Sequence, residues 1–322
     1  MMTITATVDR WNPSPYVISK AARIIKSGGL VAFPTETVYG LGADAFNPEA
    51  VAKIFTAKGR PQDNPLIIHV YNMAQAELIV KFNDAARKLA KAFWPGPLTL
   101  VLPAEDFIPP ITRGGLPTAA IRMPDNPTAR ALIYASDTLI AAPSANLSGR
   151  PSPTDSEAVL HDMNGKIDMI VDGGSVKLGI ESTVIDMTNP ERPLMLRPGG
   201  MPRELIEQEL GTTLEIPDDV SLKRSPGTHY RHYAPSLPVK IWQKGKRLPK
   251  NYAYMGINQP KSVNLEKAII FTSTENYAHG YFAGLRKLEN EDVSCIIVEW
   301  PEEDSGLAEG LRDRISRSAG IK

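Results

Sequence analysis

The chain has 322 residues, 42% hydrophobic and 22% charged, which is enough to bury a substantial core and long enough for two domains. Lysine plus arginine and aspartate plus glutamate both total 36, so no global positive field points to nucleic acid, while a local basic cleft stays open. Cys295 is the single cysteine, which excludes an internal disulfide framework and any multi-cysteine zinc or iron–sulfur site.

The opening MMTITATVDRWNPSP lacks the apolar core of a secretory signal, and no run approaches about 20 apolar residues. The expectation is a soluble cytoplasmic protein that does not enter a membrane. Pro15 can open a helix and Gly28-Gly29 can close it, framing YVISKAARIIKS. Leu30 to Phe33 is a short apolar run ended by Pro34, hence a buried strand, and a Thr/Glu/Tyr/Gly turn follows it. Asn47-Pro48 caps a helix to about Lys58, and Leu66 to Val70 returns as a strand. A helix from Asp84 to Trp94 stops at Pro95-Gly96-Pro97, before the strand LTLVL. Further strands are expected at Ala119–Met123, Thr138–Ala142, Met169–Val171, Thr183–Asp186 and Leu194–Leu196. Thr154 and Glu157 form a capping box for a helix through Met163. The alternation predicts an α/β or α+β domain over residues 1–210.

Residues 211–238 hold four prolines and no sustained period, so they read as an interdomain linker, too rich in His, Tyr and Arg to be an inert spacer. In residues 239–322, VKIW, AIIFTS and SCIIVEW are strands, with helices at Glu275–Glu289 and Glu303–Ala319. This is a small α/β module, Rossmann-like in topology, and without a G-x-G-x-x-G fingerprint it is assigned no dinucleotide.

The chemistry concentrates at strand ends. Lys58 and Arg60, two apart in an extended segment between a helix and Asp63-Asn64-Pro65, can face one anion, although two residues alone fit a solvated basic turn as well. Ser144 and Asn146 follow the buried strand Leu139–Pro143, at the carboxyl end where open sheets bind ligands; a turn closing the strand is the bland rival. Arg122 interrupts an apolar strand as a clamp for a small carboxylate or as a side chain reaching water. Glu36 reads as a structural hydrogen-bonding group rather than a general base. Arg197 is placed to reach a nucleotide or to form a surface salt bridge. The five histidines have no metal-ligand spacing, and no structural metal is expected; Mg(II) would arrive with ATP.

FPTETVYGLGADA, AKGRPQDNPL, AIRMPDNP, APSANLSGRPSPT, DGGSVKLGIESTVIDM, LRPG and SPGTHYRHYAP occur in order from Phe33 to Pro235. Together they resemble the YrdC-like family of threonylcarbamoyl-adenylate synthases in its long, two-domain form. The resemblance implies a twisted mixed sheet with an open concave basic face. It also implies a reaction: L-threonine, bicarbonate and ATP give threonylcarbamoyl-AMP and pyrophosphate, for modification of an adenosine beside the anticodon of tRNA by a downstream transferase. Lys58 and Arg60 match the family's triphosphate pair, and Ser144 and Asn146 its S-x-N. Thr35, His69, Arg122 and Ser182 match threonine-pocket positions, and Thr118, Ser152 and Arg197 nucleotide contacts. Tyr230, Arg231, His232 and Tyr233 resemble the segment that folds over the cleft, with Tyr233 also a nucleotide contact. After Pro238 only 84 residues remain, a terminal domain shorter than is usual for the family. An RNA-binding module, another carbamoyl-transfer enzyme on the same fold and an ATP sensor are the alternatives at this stage, and direct tRNA contact stays open.

Overall fold

A computed structural model describes residues 2–222, 233–243, 248–260 and 263–321. The chain begins with β1 (Ile4–Thr7), α1 (Pro15–Lys26), β2 (Val31–Pro34), β3 (Tyr39–Asp44), α2 (Pro48–Lys58) and β4 (Ile67–His69). It continues through α3 (Met73–Ile79), α4 (Asp84–Phe93), β5 (Leu98–Pro103), β6 (Thr118–Arg122), α5 (Pro127–Ser136) and β7 (Ile140–Ala141). Next come α6 (Ser156–Met163), β8 (Met169–Asp172), β9 (Thr183–Asp186), β10 (Leu194–Arg197), α7 (Arg203–Leu210) and α8 (Asp219–Leu222). The last part holds β11 (Val239–Trp242), β12 (Tyr252–Gly256), β13 (Ala268–Ile270), α9 (Thr274–Leu288), β14 (Cys295–Glu299) and α10 (Ala308–Ser318).

The first ten strands form one mixed sheet in the order β1-β8-β2-β3-β7-β4-β6-β5-β9-β10. Parallel β4–β6 and β5–β9 pairs alternate with antiparallel β2–β3 and β5–β6 pairs. The second sheet, β11-β14-β12-β13, is parallel throughout. The alternating pattern predicted an α/β or α+β domain and a small α/β module, and the mixed sheet is the one that the family resemblance implied.

Local chemistry explains the elements that carry the site. The Asn47 side chain accepts from the backbone N–H groups of Glu49 and Ala50, Pro48 occupies the first turn, and Gly59 at φ 60° ends α2 in the left-handed region. That stop delivers Lys58 and Arg60 to the edge of the sheet.

Several expectations need correction. The stretch from Tyr39 to Gly42, where no strand is expected, lies inside β3, paired between β2 and β7. A Cβ on Gly42 would come within 2.7 Å of both Ile140 and Phe33, so glycine there serves close packing rather than chain reversal. The cap of α6 is Asp155, which accepts from Ala158 N, and not Thr154. β1 and β12 were missed, ITAT because it is largely exposed and has no apolar run. Helix α10 begins at Ala308, later than the expected Glu303. The segment read as linker starts as part of the large domain: Leu214 is buried, and Glu215 bridges to Leu194 beside β10.

The two parts share a core. Val38 and Ile180 of the large domain pack with Tyr233 and with Tyr281, Phe282, Leu311 and Ile315 of α9 and α10. Arg286 of α9 donates to Asp162 and to Pro151 O, and Arg150 pairs with Glu289. At Gly179 (φ +79°) a Cβ would lie 2.1 Å from His279 O, so the two backbones touch at a bare glycine. Gly179→Ala adds both that clash and a left-handed strain, and should cost about 1–3 kcal/mol. Chemical denaturation of the variant beside the parent chain checks this; an unchanged midpoint would mean that the contact yields freely.

Candidate active site

Ends of several strands and one helix converge on a single cleft. Thr35 and Thr37 come from the β2–β3 turn, Lys58 and Arg60 from the end of α2, and His69 and Arg122 from the ends of β4 and β6. Ser144 and Asn146 follow β7, Glu181 and Ser182 precede β9, Arg197 ends β10, and Tyr233 closes the lining. The cleft encloses about 690 Å³, mouth included, but only about 60 Å³ is wide enough for the centre of a water molecule. It is narrow as it stands, for a ligand pocket.

Its cations are unusually dry: Lys58 is 3% exposed, Arg60 9%, Arg122 3% and Arg197 4%. Lys58 Nζ donates to Ser144 O at 2.6 Å and Asn146 O at 2.5 Å, so backbone carbonyls hold it. Burial, reinforced by Arg60, pushes its pKa well below the usual lysine range, against the pull of Asp162 and Glu181. Arg60 Nη2 donates to Pro65 O at 3.2 Å, which makes the Asp63-Asn64-Pro65 turn its brace. Arg197 donates through Nε and Nη2 to Ser182 O and through Nη2 to Ser182 Oγ, and burial lowers its pKa.

Arg122, expected to clamp a small carboxylate, already faces one. Its Nη2 lies 2.5 Å from Glu36 Oε2, both side chains 4% exposed, an ion contact whose angles fall short of a hydrogen bond. Its Nη1 donates to Thr37 Oγ1 and its Nε to Gly96 O. Thr35 Oγ1 in turn accepts from Thr37 N and donates to Val38 O, folding the Thr-Glu-Thr turn around the guanidinium. Glu36, expected as a structural hydrogen-bonding group, is instead the ion-pair partner of Arg122.

His69 is buried, and desolvation, with Arg122 nearby, lowers its pKa from 6.5 to about 3, so the ring is neutral; its Nδ1 has no hydrogen-bond partner. Asn146 spends its Nδ2 on Leu147 O and Arg150 O and leaves Oδ1 buried with no partner. Ser182 Oγ pairs with Thr99 Oγ1 at 2.8 Å.

Of the predicted site residues, Thr118 and Ser152 do not line the cleft. Thr118 opens β6, opposite Pro103, with its hydroxyl buried and unpartnered; Ser152 donates to Glu181 Oε1 at 2.5 Å. Tyr230, Arg231 and His232 lie outside the described residues. Tyr233 is present, buried at φ +66° and tilted against Phe282. Sequence reasoning missed Glu181 and Thr37. The available signal for Glu181 was a carboxylate directly before Ser182 at the start of an apolar strand.

Burial alone would raise the Glu181 pKa, but Arg314, then Arg197 and Ser152, hold it below the usual carboxylate range. Among the described residues no group of three or more His, Cys, Asp or Glu side chains is placed to hold a metal ion.

Unfolded His69 takes up a proton near pH 6.5 and folded His69 only near pH 3, so within that window the unfolded chain binds more protons. Stability should therefore fall as pH drops through it, by up to roughly 1.4 kcal/mol per pH unit from this residue. His69→Gln should flatten that limb of the stability–pH profile; an unchanged slope would mean that His69 is protonated in the folded state.

Comparison with known proteins identifies the family and the fold. A family model described as "Telomere recombination" matches residues 23–199, and one described as "Threonylcarbamoyl-AMP synthase, C-terminal domain" matches residues 201–320. The threonylcarbamoyl-AMP synthase of Pyrococcus abyssi is 42% identical over all of this chain and 98% of its own length. That of Bacillus subtilis is 43% identical over 94% of this chain and 93% of its own. A crystal structure of P. abyssi Sua5 complexed with L-threonine superimposes with a TM-score of 0.90 at 40% identity, covering 99% of this chain and 98% of that one.

Proposed function

This chain belongs to the threonylcarbamoyl-AMP synthase family, and from that premise we propose that its cleft joins L-threonine, bicarbonate and ATP into threonylcarbamoyl-AMP and pyrophosphate. The observation that carries the reading is the convergence of Lys58, Arg60, Arg122 and Arg197 on one narrow cleft whose other polar groups are hydroxyls, the Asn146 amide, the His69 ring and the paired Glu181 carboxylate. A polyanion replaces the carbonyl contacts of such cations with stronger charge-assisted ones. Further support comes from the relative's complex with L-threonine.

The chemistry balances without a protein nucleophile. The amine of threonine attacks the carbon of bicarbonate, an N–C bond forms, and water leaves to give a carbamate. A carbamate oxygen then attacks the α-phosphorus of ATP, and the bond to the β-phosphate oxygen breaks with its electron pair on pyrophosphate. The protein's part is positioning and charge neutralisation. Lys58, Arg60 and Arg197 face the phosphates, and Ser144 and Asn146 orient them. Arg122, shared with Glu36, receives the threonine carboxylate, while Thr35, His69 and Ser182 shape that end. A neutral His69 suits this role, since it can accept a hydrogen bond without adding charge. Asn146 Oδ1, buried without a partner, would be the protein atom to meet Mg(II) brought with ATP, which would neutralise phosphate charge. The product serves a transferase that passes the threonylcarbamoyl group to adenosine beside the tRNA anticodon.

Pyrophosphate release from the pure protein with ATP, Mg(II), bicarbonate and threonine, each omitted in turn, tests the reading. Release should need both threonine and bicarbonate; release without threonine would sink it. Lys58→Ala and Arg60→Ala should each lose roughly 10²- to 10³-fold in turnover with the fold retained, the range for removing one preorganised charge partner. Arg122→Ala should chiefly raise the threonine KM, and an unaltered threonine dependence would remove its carboxylate role.

A further inference from the structure

Building on the reading of the cleft as a nucleoside-triphosphate site, we propose that Arg314 in the last helix is a positioning residue. It holds and neutralises the Glu181 carboxylate, so that the C-terminal domain keeps the cleft fit for a polyanion.

Arg314 is fully buried, and its Nε donates to Glu181 Oε2 at 2.7 Å. Its Nη1 donates to Pro198 O at 2.8 Å and to Asp313 Oδ2 at 2.6 Å, and its guanidinium lies 5.4 Å from the centre of the Tyr233 ring. The other carboxylate oxygen of Glu181 accepts from Ser152 Oγ. Both oxygens of this cleft residue are thereby committed, one of them to the C-terminal domain. The approach is built into the backbone: a Cβ on Gly310 would lie 2.9 Å from Gly199 O, and one on Gly199 would lie 2.3 Å from Glu181 O. Arg314 stands four residues beyond Gly310, on the same helix face, and so is aimed at Glu181 by that glycine contact.

The ionic surroundings make the pair consequential. Arg314 and Asp313 of α10, Arg197 of β10, Lys58 of α2, Tyr233 and Ser152 make up the charged and polar setting of Glu181. Without Arg314 the carboxylate has two outcomes. When ionised, it is an uncompensated negative charge that repels a triphosphate and competes for Lys58 and Arg197. When protonated, it does neither, and burial favours that state at higher pH than in the parent. Loss of Arg314 should therefore show as pH-dependent nucleotide binding, which general loosening of the fold does not produce.

The test uses full-length parent, Arg314→Met, Arg314→Lys and Glu181→Gln/Arg314→Met chains. ATP affinity by calorimetry with Mg(II), and thermal unfolding, are measured from about pH 6 to about pH 8. Arg314→Met should bind ATP about tenfold more weakly at the upper pH and approach the parent at the lower one, the scale of one pKa unit of differential interaction. The double variant should recover affinity across the range, with Arg314→Lys intermediate. In unfolding, the gap between Arg314→Met and parent should widen as pH rises, and the double variant should remove that widening. A gap that is constant with pH, or an affinity loss that Glu181→Gln does not rescue, overturns the proposal and leaves Arg314 a packing residue. Failure of the parent chain to bind ATP would instead overturn the reading of the cleft, while the unfolding series still decides whether Arg314 holds the Glu181 charge.

Discussion

Keeping four cationic side chains almost dry in one cleft is the constraint around which this molecule is arranged. A buried charge is tolerated only when its hydrogen-bonding groups are met. The chain meets them mostly with backbone oxygens: Ser144 and Asn146 for Lys58, Asn64 and Pro65 for Arg60, Gly96 for Arg122, Ser182 for Arg197. Carbonyls satisfy the donors without cancelling the charge, so the cleft retains its attraction for an anion. Arg122 is the exception, matched by the Glu36 carboxylate.

That arrangement accounts for local features that otherwise look arbitrary. The Ser-Ala-Asn loop both lines the cleft and holds Lys58. The Asp63-Asn64-Pro65 turn presents carbonyls to Arg60, which a helix would have consumed internally. The Thr-Glu-Thr turn folds on Thr35 Oγ1 so that Glu36 and Thr37 both meet Arg122.

The C-terminal domain reaches the same constraint from outside. Arg286 and Glu289 of the neighbourhood of α9 grip Asp162, Pro151 O and Arg150 behind the Ser-Ala-Asn loop, and Arg314 grips Glu181. Buried ion pairs across an interface add little net stability compared with apolar contacts, but they penalise misregistration heavily. The apolar contacts of Val38, Ile180, Tyr233 and Phe282 supply attraction, and the arginines set where the domain sits. The small domain has a parallel sheet of its own, and its polar contacts with the large one include Arg314 on the cleft residue Glu181 as well as Glu309 on Arg203.

Elements with a strong apolar period and explicit stops were legible in the residues: α1 between Pro15 and Gly28, α2 between Asn47 and Gly59, and the runs that became β2, β5, β6 and β9. So were Ser144, Asn146, Arg122, Ser182 and Arg197 as candidates at the ends of apolar strands, and Lys58 and Arg60 as a cation pair after a helix stop. β3 was not, since glycines that signal a turn locally were there to let Ile140 and Phe33 approach. Nor was the pairing of Glu36 with Arg122, or of Glu181 with Arg314 across 133 positions of chain. The sequence by itself determined the strongly periodic strands and helices, their stops and most of the cleft groups, because those depend on neighbours within a few residues. Only the tertiary structure decided which charge is neutralised by which, because that depends on distances between segments that nothing in local pattern encodes.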